Sequence, residues 1–226
     1  MLELFHKKYD LEYLKSYVIS KKPERGNYSI AIIDDEQELA ITKILRTQGF
    51  VISHFHDINS INEIQGFDIV ICDIRKVGKV FDSKYGGAFV VKEIVNKYPQ
   101  KYVIISSGSL FQVDYNEYFK MADSYIKKDA DSSEWTDVLD KAISALNDPY
   151  FFWERTKKFL ISKKIELSIV NKIEQNYIKS FAKKDGKYLS SSINKNKSYL
   201  SNEYVSFALN TLMSFTTSII SNLIIL

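Results

Sequence analysis

Five short apolar runs rich in Ile and Val lie between residues 28 and 147, at 29–33, 50–55, 68–72, 102–106 and 124–126. Stretches with apolar positions at helical spacing separate or follow them, near 36–48, 59–65, 86–98, 112–121 and 133–146. Strands that alternate with helices predict parallel pairing, with helices covering both faces. The expected core is therefore α/β, a doubly wound five-stranded parallel sheet. Ligands of such sheets bind beyond the carboxyl ends of the strands, where the strand order reverses.

The flanks read differently. Leu2, Leu4, Phe5, Tyr9, Leu11, Leu14 and Val18 suit an amphipathic helix within 2–19, and the polar run 21–27 reads as a linker. After Asn147-Asp148-Pro149 the strand signal stops. The aromatic cluster Tyr150, Phe151, Phe152 and Trp153 leads into a lysine-rich helical pattern that runs to 184. Residues 185–202, rich in Ser, Asn, Lys and Gly, read as a loop. Residues 205–226 carry no charge and show a stripe of Leu209, Leu212, Met213, Thr216, Ile219, Ile220 and Leu223. The expected organisation is an N-terminal helix and linker (1–27), the sheet domain (28–148) and an all-helical region (149–226) with an apolar last helix.

Charge divides the chain the same way. Residues 150–226 hold 12 Lys/Arg and 5 Asp/Glu, a net of +7. The rest holds 19 basic and 23 acidic residues, a net of −4. Such asymmetry suits two modules with different partners. The single cysteine, Cys72, rules out an intrachain disulfide and a cysteine zinc cluster, and it reads as a small buried apolar residue. His6, His54 and His56 have no ligand-like spacing. Charges interrupt the apolar pattern of the first residues, unlike a signal peptide. A reducing cytoplasm is the expected setting.

The chemistry concentrates after the predicted strands. Asp34-Asp35-Glu36 follows the first, Asp73 the third, Ser107 the fourth and Lys128 the fifth. Carboxylates meeting in one shallow cleft repel one another, and a hard divalent cation such as Mg²⁺ relieves that repulsion through oxygen ligands. Asp34 and Asp35 are the candidate holders of the ion. Asp73 is the candidate third ligand and a nucleophile for phosphorus. Lys128 would neutralise phosphoryl oxygens, Ser107 would donate a hydrogen bond to them, and Tyr125 would swing inward as a readout.

The segments 30–39 (IAIIDDEQEL), 67–75 (FDIVICDIR), 102–109 (YVIISSGS) and 122–128 (ADSYIKK) resemble, in order and spacing, the receiver domain of bacterial two-component response regulators. The resemblance implies a flavodoxin-like receiver fold. It implies Mg²⁺ on Asp34, Asp35, Asp73 and the backbone carbonyl of Arg75. It also implies phosphorylation of Asp73 by a histidine kinase or phosphotransfer protein, a switch pair of Ser107 and Tyr125, and Lys128 on the phosphate. Such a protein is a substrate and slowly self-dephosphorylating switch rather than a metabolic enzyme. Two departures stand out: Asp129 replaces the proline usual after the lysine, and the loop 76–87 exceeds the family's short Pro-Gly loop. They favour the alternative of a receiver-fold interaction module that works without phosphate.

The tail leaves several readings open. Its lysines would aid phosphate contact, yet no helix-turn-helix pattern is present, so nucleic acid is the weaker partner. Residues 205–226 are long enough to cross a bilayer but are interrupted by Ser, Thr and Asn. Packing on the protein itself or on a second copy is the favoured reading, and a membrane-associated effector the alternative.

Overall fold

A computed structural model describes residues 10–15, 23–36, 40–108 and 116–224, with the backbone alone for 222–224. Much of the expected helix within 2–19, His6, and the starts of the helices expected at 36–48 and 112–121 lie outside the described residues. The chain forms two compact units, 22–146 and a helical unit of 1–21 with 147–226.

In the first unit the strands are β1 (Ser29–Ile33), β2 (Val51–Phe55), β3 (Ile69–Asp73), β4 (Tyr102–Ser107) and β5 (Ser124–Lys127). They pair in the order β2-β1-β3-β4-β5, all parallel. This is the flavodoxin-like doubly wound order. The three central strands read as continuous apolar runs because both of their faces are covered, and β3 and β4 are buried at every residue. The edge strands differ. Val51 on β2 is exposed, whereas β5 is short and ends in the exposed Lys127, which discourages pairing with another chain.

The order reverses between β1 and β3, where Ile33 pairs with Cys72. The residues that follow at this switch point are Asp34 and Asp73, so topology alone brings these two acids together. The connecting helices of this unit are α2 (Ala40–Thr47), α3 (Gly87–Lys97), α4 (Asn116–Met121) and α5 (Ser132–Leu146), with a 3-10 turn at Ile61–Ile64. Arg25, in a 3-10 turn ahead of β1, grips Asp140 of α5 through two hydrogen bonds of 2.8 and 2.7 Å.

The helical unit contains α1 (Leu11–Lys15), α6 (Pro149–Ser162), α7 (Leu167–Lys183), α8 (Lys187–Lys195) and α9 (Glu203–Ile224). Asp148 caps α6 by accepting from the Tyr150 amide at 2.8 Å, with Pro149 in the first turn. Trp153, Tyr177, Phe181 and Leu212 centre its core, and Leu14 of α1 is buried in it. The loop expected at 185–202 is a helix for much of its length. Ser, Asn and Lys dominate its composition, but Leu189, Ser192 and Ile193 form a narrow buried stripe. Asp185 also accepts from the Lys187 amide at its start. α9 buries Val205, Ala208, Leu209, Leu212, Thr216, Ile219 and Ile220, and exposes Asn210, Ser214 and Thr217. It therefore docks on its own unit. Among the described residues no helix is long and apolar enough to cross a membrane.

Candidate functional site

Lys128 follows β5, and its amide donates to the carbonyl of Ser107 at the end of β4 (3.2 Å). That bond directs its side chain over the switch point. Nζ donates to Asp73 Oδ2 (3.0 Å), Asp34 Oδ1 (3.0 Å) and Glu36 Oε1 (3.3 Å). It also lies 2.9 Å from Asp34 Oδ2, off the line of a hydrogen bond. Asp34 and Asp73 are 0% and 4% exposed, so the ammonium serves two buried carboxylates. Burial pulls the Lys128 pKa down. Hydrogen bonds to Asp34 and Asp73, and the charges of both, outweigh that and hold it well above the ordinary lysine value.

The second half of the site is a set of three acids. Oxygens of Asp34, Asp35 and Asp73 all lie within 4.8 Å of one another. Oxygens that share a Mg²⁺ ion at about 2.1 Å stand at most about 4.2 Å apart, so small rotations bring the three together. Asp35 Oδ1 is buried and accepts no hydrogen bond, an orphaned oxygen that a cation would satisfy. The donor set is all oxygen, as a hard ion requires.

The backbone around Asp73 is tightly fitted. Asp73 Oδ1 accepts from the Arg75 amide at 3.2 Å. The first residue of α3 is Gly87, and a Cβ there would stand 1.8 Å from the Asp73 carbonyl oxygen. Gly86, at φ +45°, would place a Cβ 2.5 Å from Val77 O and 3.2 Å from Arg75 O. Gly86 and Gly87 are thus what let α3 start against the end of β3. The long loop between them is anchored as well. Gly78, at φ +70°, donates to Asp57 Oδ1 at 2.7 Å, and Asp82 Oδ1 accepts from the Lys84 and Tyr85 amides.

The structure brings together Asp34, Asp35, Asp73 and Lys128. Ser107 is buried at the end of β4 beside them. Its neighbour Ser106 pairs in register with Asp73, and the Ser106 hydroxyl is buried without a hydrogen-bond partner. Two adjacent serines point to opposite faces of a strand, and sequence alone does not say which one faces the acids. Tyr125 stands away from the cluster on the surface. It is 57% exposed, with its ring edge-on to Phe119 at 6.3 Å. Two charges have partners that the sequence reading did not assign: Glu36, the third carboxylate on Lys128, and Lys76, whose Nζ lies 3.5 Å from Asp35 Oδ2. Glu36 is turned back by its own amide, which donates to Asp34 Oδ1. Cys72 is fully buried, and desolvation with nearby Asp73, Asp57 and Asp34 pushes its thiol well above the ordinary value.

No protein-family model matches the chain, and no curated protein matches it. Solved structures do. Several of these neighbours are receiver domains and response regulators. A CheY-like receiver domain from Methanospirillum hungatei is 17% identical, covers 53% of this chain and 95% of its own, with a TM-score of 0.46. A response regulator from Thermotoga maritima is 17% identical over 52% of this chain and 98% of its own, with a TM-score of 0.43. A LuxR-family DNA-binding response regulator from Staphylococcus aureus is 23% identical over 51% of this chain and 98% of its own, also at 0.43. The five-stranded all-parallel sheet with flanking helices has the flavodoxin-like strand order.

Proposed function

We propose that residues 28–148 act as a phospho-accepting receiver in two-component signalling, with Asp73 as the acceptor. The carrying observation is the Lys128 ammonium at 3.0 Å from Asp73 and from Asp34, beside a third carboxylate with an orphaned oxygen. This is the charge pattern of a site that binds a divalent cation and a phosphoryl group. An Asp73 carboxylate oxygen attacks phosphorus. The bond from phosphorus to the donor's imidazole nitrogen breaks, its electron pair leaves with that nitrogen, and an acyl phosphate forms. Lys128 meets the negative charge on the phosphoryl oxygens, and a hydroxyl at the end of β4, from Ser106 or Ser107, donates to them. Mg²⁺ held by Asp34, Asp35, Asp73 and the Arg75 carbonyl would supply the remaining positive charge.

The donor in this reading is a histidine kinase or phosphotransfer protein, and the protein is a switch rather than a metabolic enzyme. The helical unit is its output, working in the cytoplasm through protein contacts, with a second copy as one such partner. A receiver-fold module that works without phosphate is the second reading. It is favoured by the two ammonium groups already neutralising the acids. Incubation with Mg²⁺ and acetyl phosphate, followed by intact mass, separates the two. The proposal expects one phosphate adduct with the acid and alkali lability of an acyl phosphate, and Asp73→Asn removes it. No adduct, or one that persists in Asp73→Asn, overturns it.

A further inference from the structure

We propose that Lys76 is a built-in competitor of the divalent cation, an ammonium tethered at the outer side of the acidic cluster that must leave Asp35 before the ion is fully ligated. The inference rests on the metal reading above and adds the residue that sets the affinity. Its basis is geometry. Lys76 Nζ approaches Asp35 Oδ2 at 3.5 Å, while the other oxygen of that carboxylate has no partner. Lys128 engages Asp34 and Asp73 but makes no ion pair with Asp35 among the described residues. Asp35 therefore has its own cation.

The tether is short and fixed. Arg75 is held through its amide on Asp73, Ile74 and Val77 are buried, and Gly78 is bonded to Asp57. The Lys76 side chain itself is more than half exposed. An ammonium anchored this way has a high effective concentration at Asp35. It can also swing into water at little cost, because an exposed pair is weak. Mg²⁺ binding thus exchanges one cation for another, and the released Lys76 remains beside the charged site.

The test is calorimetric titration of the full chain with Mg²⁺, comparing wild type, Lys76→Met and Lys76→Arg. Lys76→Met removes the charge but keeps the chain length, and should tighten Mg²⁺ by roughly threefold to tenfold. Lys76→Arg should stay near wild type. The gap between wild type and Lys76→Met should narrow from about 0.02 M to about 0.5 M salt as the pair is screened. A structural role for the side chain would give no such salt dependence. Unchanged or weaker binding in Lys76→Met overturns the inference while leaving the metal site intact. A wild type and Lys76→Met that both fail to bind Mg²⁺, with Asp73→Asn no different, would sink the metal reading and this inference with it.

Discussion

Removing the Lys128 charge isolates what that ammonium does. In Lys128→Met, Asp34 and Asp73 stay at the switch point with almost no exposure and without their shared counter-charge. Taking one partner from a buried ionic set costs about 3–5 kcal/mol, because the remaining charge is uncompensated. Glu36 is half exposed, so its share of the loss is small. The vacated space and the three acids still fit a divalent cation. Ligand present at a hundredfold its Kd returns about 2.7 kcal/mol, so Mg²⁺ should recover much of the loss. Hydrogen exchange of the β1 and β3 amides measures the opening free energy of this unit separately from the helical one. The sign with pH is also fixed. The folded pKa of Lys128 is raised, so its stabilisation is fully present below the unfolded value near 10.5 and is lost only above it. The difference between wild type and Lys128→Met should therefore be flat from about pH 6 to about pH 9. A loss within about 0.5 kcal/mol, or a mutant that Mg²⁺ stabilises no more than wild type, would refute the reasoning.

Three other outcomes follow from the same unit. Lys101 is 6% exposed, and its Nζ donates to the carbonyls of Gln65 and Phe67; burial lowers its pKa to about 8, against the opposing charge of Asp68. Below pH 8 both states hold the proton and the burial penalty of about 3 kcal/mol is complete, so stability should rise from pH 8 to 10.5 relative to Lys101→Met, as read by denaturant midpoints. Gly87→Ala, whose Cβ would meet the Asp73 carbonyl at 1.8 Å, should destabilise by about 4 kcal/mol or more, whereas Gly66→Ala, with nothing within 4 Å, should stay within about 0.5 kcal/mol in the same thermal melts. Cys72 should resist a charged thiol reagent in the native protein and react only as the sheet opens, so its labelling rate should track hydrogen exchange of β3.

The strands were legible because the central ones are near-continuous apolar runs rich in Ile and Val, and their observed limits fall within a residue or two of the sequence pattern. The acids and Lys128 were legible because they stand at the ends of three strands, Asp34 and Asp35 at β1, Asp73 at β3 and Lys128 at β5, and a parallel sheet sends those ends to one edge. Other features depend on direction rather than position. The partners of Glu36 and Lys76 show only once the chain is seen to turn back on Asp34, Asp35 and Lys128. Ser106 and Ser107 differ only in the face each presents. The need for glycine at 87 arises from a close approach between segments that sequence does not display. Helix α8 was hidden because three buried residues among many Ser, Asn and Lys give too weak a period to outweigh a loop-like composition. The outward position of Tyr125 likewise follows from its place on an edge strand.

The central claim is that Asp73 takes a phosphoryl group at this edge of the sheet. Borohydride reduction after exposure to Mg²⁺ and acetyl phosphate, followed by peptide mapping, tests it at single-residue resolution, since an acyl phosphate is reduced to an alcohol and a free carboxylate is not. The account predicts homoserine at position 73 in the peptide spanning β3, at a yield that falls when Mg²⁺ is chelated. Reduction at another acid, or none at position 73 under conditions where a known acyl phosphate is trapped, would contradict it.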